Sequence, residues 1–93
     1  MERRLLNNDE IAAGLTNLKG WKAKNEKLKK KYEFSNFAES LAFVNRVGEI
    51  AESMDHHPDI KFGWGYAKIS TTTHDRGGVT DVDVALAKKI DQL

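Results

Sequence analysis

Ninety-three residues with a hydrophobic share of 40% suffice for one core and hardly for two, so the chain reads as a single domain over residues 1–93. Fifteen Lys and Arg against 14 Asp and Glu leave a formal charge of +1, too balanced for a dedicated nucleic-acid binder, and the lack of cysteine removes disulfides, thiolate nucleophiles and thiolate zinc sites. The N-terminal residues have no apolar signal-peptide run and no window approaches the roughly 20 apolar residues of a membrane span, so a soluble protein of the cytoplasm is expected.

Asn7 and Glu10 stand at capping-box spacing, and Ile11, Leu15 and Leu18 recur with helical period until Gly20, which predicts a first short helix. The period then changes to two. Trp21 and Ala23, a turn at Asn25-Glu26, and Leu28, Tyr32 and Phe34 predict a hairpin with one apolar face. Seven lysines between Lys19 and Lys31 fall here and could form a basic strip; the favoured reading is the solvated face of the hairpin, since Lys27, Lys29 and Lys31 alternate with the apolar positions.

Asn36 and Glu39 form a second capping-box pattern ahead of the strongest helical stripe, Phe37, Leu41, Val44, Val47, Ala51 and Met54. Phe43 and Ile50 widen that stripe beyond what one sheet face needs, so a neighbouring subunit is expected to cover part of it. Pro58, the sole proline, disfavours helical dihedrals at His57 and should end the helix near Asp55 or His56. Residues 58–63 and 66–73, joined through Gly63–Gly65, predict a second hairpin. After Gly77-Gly78, Thr80 and Asp83 form a third capping box, Val79 and Val84 a hydrophobic staple, and Val82, Leu86, Ile90 and Leu93 the apolar face of a last helix. The order α-ββ-α-ββ-α implies an α+β fold: two layers, with helices on one face of a four-stranded antiparallel sheet.

Chemistry concentrates in Glu52-Ser53-Met54-Asp55-His56-His57-Pro58-Asp59, where a helix ends in two imidazoles flanked by carboxylates. Histidine, with an unperturbed pKa near ~6.5, gives or takes a proton around neutrality, and a neighbouring carboxylate can set its tautomer. Pairing of the second hairpin would return His74 towards His56 and His57, giving a shared acid–base site. Three imidazoles could instead hold zinc. Adjacent histidines diverge by about 100° on a helix or 180° on a strand, which disfavours chelation and leaves metal as the second reading. Asp83 is also explained as a helix cap, and Trp64 and Tyr66 as aromatics of a sheet face.

These residues resemble the pterin-4a-carbinolamine dehydratase family, also known as the dimerisation cofactor of a hepatocyte nuclear factor. The resemblance runs through Glu52-x-x-Asp55-His56-His57-Pro58, Trp64, Thr73-His74, Gly78 and Thr80-x-x-Asp83, and it extends to Gly20-Trp21 and to Leu86-Ala87 and Ile90-Asp91. It implies dehydration of 4a-hydroxytetrahydrobiopterin to the quinonoid dihydropterin in tetrahydrobiopterin recycling, without metal or other cofactor, by a homodimer or homotetramer. His56, His57 and His74 map to the catalytic histidines. Glu52, Asp55, Trp64 and Asp83 map to residues around the substrate. His56 and His74 are expected as base and acid, in either order, with His57 auxiliary. Animal members often carry arginine just before the aspartate matching Asp83; Val82 stands there instead, and Arg76 is a candidate substitute. The alternative function is an oligomeric interaction module serving a transcription-factor partner, with neither nucleic acid nor membrane as ligand.

Overall fold

A computed structural model describes residues 3–93. Helix α1 spans Asn8–Gly14, strands β1 and β2 span Lys22–Lys24 and Lys27–Glu33, and helix α2 spans Phe37–Met54. Strands β3 (Asp59–Gly63) and β4 (Tyr66–Thr71), a 3₁₀ turn at His74–Arg76 and helix α3 (Asp81–Asp91) complete the chain. The strands form one antiparallel sheet in the order β1-β2-β4-β3. Element order and sheet therefore match the α+β expectation.

Each strand separates two kinds of side chain. Leu28, Ala67 and Ile69 turn inward and are fully buried with Val47, Leu86 and Ile90 of the helices, whereas Lys29, Lys31, Lys61 and Lys68 turn outward. Burying each large aliphatic side chain contributes about 1.5–3 kcal/mol, so this layer carries much of the fold's stability. Tyr32, Phe34 and Phe43 extend it as an aromatic cluster, with ring centroids 4.6 Å apart for Tyr32–Phe43 and 5.0 Å for Phe34–Phe43.

Four local expectations are corrected. Helix α1 stops at Gly14 rather than near Gly20. Gly14, Thr16 and Asn17 are weak helix formers, and the Thr16 hydroxyl is spent on the Ala12 carbonyl at 3.3 Å. At α2 the Asn36 side chain accepts from the Glu39 N–H at 2.9 Å, but the Glu39 carboxylate accepts from Ser35 rather than from Asn36, so the box is displaced by one residue. Strand β4 ends at Thr71, because Thr73 pairs instead with Gly78 in an isolated bridge. Leu93 lies beyond α3 and is 37% exposed, off the buried face that Val82, Leu86 and Ile90 do form.

Two features place the functional residues. Asp55 ends α2 in the left-handed region (φ 50, ψ 44), and the His56 N–H reaches back to the Ala51 carbonyl at 3.1 Å in a Schellman-type closure. That reversal turns His56 towards the core and leaves His57 outside. The N-terminal segment is bound beside α3: Leu5 bridges Thr80, Leu6 N–H donates to Val79 at 2.9 Å and Arg4 N–H donates to Asp81 Oδ1 at 2.9 Å.

Candidate active site

Asp83 lies in the first turn of α3 with no solvent exposure, and its carboxylate gathers donors from three parts of the chain. Oδ1 accepts from the Thr71 hydroxyl at 2.6 Å and lies 2.6 Å from His56 Nε2. Oδ2 accepts from the Thr73 hydroxyl and from the Thr80 N–H, both at 2.9 Å. The Thr73 and Thr80 hydroxyls are themselves 2.8 Å apart. The capping-box reading of Thr80 and Asp83 is thus correct but incomplete. The same carboxylate that caps α3 also fastens the end of α2 to the end of β4.

This network sets the tautomer of His56, which is only 5% exposed. The carboxylate can only accept, so Nε2 carries the hydrogen that it receives. In the neutral ring Nδ1 then holds the lone pair, and the Arg3 guanidinium donates to it through Nη1. Nη2 of the same guanidinium donates to the Asp55 carbonyl at 2.6 Å. Both ring nitrogens of His56 are therefore engaged, one by a buried carboxylate and the other by a half-buried cation.

The remaining residues divide into near and distant. His57 and Glu52 are exposed, and His57 Nε2 hydrogen-bonds the Glu52 carboxylate on the outside of α2. Asp55 is exposed and meets the site through its backbone carbonyl. His74 is exposed at the start of the 3₁₀ turn and directly follows Thr73, so its backbone is anchored one residue from the Asp83 network. Arg76, on the same turn, donates from Nε to the Arg3 carbonyl at 3.1 Å and so joins the His74 turn to the segment that covers His56. The register of β3 with β4, Asp59 opposite Ser70, leaves His56–His57 and His74 beyond the same end of this hairpin. Among the described residues, no three His, Cys, Asp or Glu side chains converge as a metal-binding set.

Trp64 does not join them. It is 71% exposed in the turn between β3 and β4, at the opposite end of the hairpin from the histidines. Five strand residues at about 3.3 Å each separate the two ends by some ~16 Å. Within one chain Trp64 cannot touch a small molecule held at His56. Arg3 and Thr71 carried no signal in the sequence, and Thr73 stood only as part of the Thr73-His74 motif, with no role assigned to it.

A family model described as pterin 4 alpha carbinolamine dehydratase matches residues 4–93. The chain belongs to this family. It is 46% identical over 88 residues to a protein of Sulfurisphaera tokodaii, covering 95% of each chain, and 46% identical over 89 residues to one of Rubrobacter xylanophilus, covering 95% of this chain and 83% of the other. Both relatives are provisionally named pterin-4-alpha-carbinolamine dehydratases. Among solved structures it resembles a transcriptional coactivator/pterin dehydratase of Brucella melitensis, with a TM-score of 0.89 at 27% identity over 94% of this chain and 95% of that one. It also resembles a pterin dehydratase-like protein described as a RuBisCO assembly factor of the alpha-carboxysome, with a TM-score of 0.63 at 26% identity over 77% and 83% of the two chains.

Proposed function

We propose that the chain dehydrates 4a-hydroxytetrahydropterins, tetrahydrobiopterin's 4a-carbinolamine among them, by histidine acid–base catalysis. The observation that carries this reading is the Asp83–His56 pair: a buried carboxylate presents one imidazole in a single tautomer, with its lone pair on Nδ1, on the edge that the Arg3 guanidinium covers. In the reaction the C4a–O bond breaks, the departing oxygen takes a proton and leaves as water, and the adjacent ring nitrogen gives up its proton as the carbon–nitrogen double bond forms. One group must donate and another accept.

In this scheme His56 Nδ1 accepts the ring proton once the Arg3 guanidinium has given way to substrate, and exposed His74 protonates the leaving oxygen. His57, held by Glu52, relays protons to water. Asp83 acts through His56 as a positioning residue, since its own oxygens are enclosed. The same chemistry places the chain downstream of an oxygenase that leaves a hydroxyl on C4a, which is the step required for recycling the pterin. Mixing the protein with freshly generated 4a-hydroxypterin tests the reading. Dehydration well above the buffer rate is expected, with His56→Ala and His74→Ala each lowering it by on the order of 10²-fold or more. A rate equal to that of buffer would end the proposal.

A second reading concerns assembly. Phe37 and Leu41 at the start of α2 are 45% and 40% exposed, and Phe37 stacks on Phe62 with ring centroids 5.7 Å apart. We propose that a second copy of the chain covers this apolar surface, because a core of this size gains from further burial. Leu41→Glu should lower the molar mass measured by light scattering. An unchanged mass would move the self-association surface elsewhere.

A further inference from the structure

The face of the sheet opposite the helices carries a charge pattern that the dehydration scheme does not use. Register sets Lys31, Lys68 and Lys61 directly opposite one another across β2, β4 and β3. One step along, Lys29 stands opposite Lys22, and at the next pair Lys27 opposes Lys24. Only Glu33 and Asp59 interrupt these rows on the same face. With seven of the chain's 15 Lys and Arg but two of its 14 Asp and Glu on this surface, the near-neutral total hides a strongly polarised molecule.

Like charges opposite one another across strands destabilise a sheet. Rows of lysines about 4.8 Å apart therefore raise the energy of the unliganded fold, and a bound polyanion would relieve the repulsion. A shallow concavity of about 630 Å³ is also lined by these rows, including Lys29, Lys31, Lys61 and Lys68. At one end stand two aromatic residues. Tyr66 shares the face and has Lys31 and Lys68 Nζ within 5.8 and 6.0 Å of its ring centroid, and Trp64 projects 71% exposed from the adjoining turn. Lysine rows track a phosphate backbone, and exposed aromatic rings stack bases without regard to sequence.

We infer that this open face binds single-stranded nucleic acid. The two aromatics favour it over an acidic polypeptide, which would use the charge alone. The near-neutral total had argued against any such ligand, because net charge averages over two faces that register keeps apart. The test is fluorescence anisotropy of a labelled single-stranded DNA of about 12 nucleotides, within the range that one small sheet platform accommodates. Saturable binding is expected that weakens with salt. The double variant Lys31→Glu, Lys68→Glu should lose at least tenfold in affinity and flatten the log–log salt slope by about 1.4, at roughly 0.7 per lysine removed. Trp64→Ala should weaken binding at an unchanged slope. Circular dichroism and the dehydration rate serve as controls, because none of these three residues lies at the histidines. The inference fails if the oligonucleotide does not bind at low salt or if a duplex of equal length binds as tightly. It also fails if polyglutamate competes as well as unlabelled oligonucleotide, or if the double variant keeps wild-type affinity.

Discussion

Helix α3 carries two aspartates, eight residues apart, that each collect donors from distant parts of the chain. Asp83, in the first turn, is completely enclosed and receives two threonine hydroxyls, a backbone N–H and His56. Asp91, in the last turn, keeps a fifth of its side chain in water, and its Oδ1 accepts from Trp21 Nε1 at 3.1 Å, from Lys30 Nζ at 3.0 Å and from the Tyr32 hydroxyl. Both clamp the helix to the sheet. Only the first holds the histidine to which the proposed dehydration assigns a proton transfer. The contrast separates a carboxylate that stabilises and positions from one that stabilises alone, and substitutions can test that separation.

The largest effect is expected at Asp83. Asp83→Ala leaves the Thr71 hydroxyl, the Thr80 N–H and His56 Nε2–H without an acceptor in a buried space, at about 1–3 kcal/mol for each orphaned group. Urea denaturation should show a loss of about 3 kcal/mol or more, and the dehydration rate measured on the folded fraction should fall towards that of His56→Ala. Asp83→Asn keeps the shape and two acceptor positions but unsettles the His56 tautomer, so it should recover part of the stability without the rate. Full activity in Asp83→Asn would remove its positioning role.

Asp91→Asn is expected to act on stability alone, by about 1–2 kcal/mol, with the dehydration rate unchanged. Its signature is the pH dependence. Burial pushes the Asp91 carboxyl up, but hydrogen bonds from Tyr32, Lys30 and Trp21 outweigh it and hold the group below its ordinary 3.8. Its contribution is complete above pH 3.8 and is lost as pH falls through the depressed value. Tyr32 has the opposite sign. Burial first, and the bond to Asp91 second, raise it well above its ordinary 10.0, so its contribution is complete below pH 10.0 and lost as pH rises. Thermal melts across pH should therefore show Asp91→Asn flattening both flanks of the stability profile. Unaltered flanks would detach Tyr32 from Asp91.

The smallest effect belongs to the outer pair, His57 with Glu52, where side-chain exposures are 56% and 78%. Pairs this open to water contribute little. Glu52→Gln should leave the melting temperature within experimental error and alter the dehydration rate by less than about tenfold. A larger loss of rate would promote His57 from relay to direct proton donor.

What was legible from residues alone follows periodicity and short-range capping. The stripe from Phe37 to Met54, the two-residue turn at Asn25-Glu26, now seen with φ of 52 and 65, and the stop at Asp55 are local decisions, so spacing revealed them. The first helix was overextended because apolar period says nothing of weak formers at Gly14, Thr16 and Asn17. Trp64 was grouped with the histidines because a motif preserves order along the chain but not which end of a hairpin each residue occupies. Alternation puts Lys27, Lys29 and Lys31 on one hairpin face, but only the register adds Lys68 and Lys61 of the second hairpin to it.

The sequence by itself determined the element order, the α+β class and the family, since each rests on residues a few positions apart or on a pattern spanning the whole chain. Tertiary structure alone decided that Asp83 reaches His56 across 27 residues, that Arg3 meets the same ring from the N-terminal segment and that seven lysines share one face. The physical reason is common to all three. Hydrogen bonds and charge repulsion act over a few ångströms in space, and residues separated by tens of positions come that close only after strands pair and helices pack.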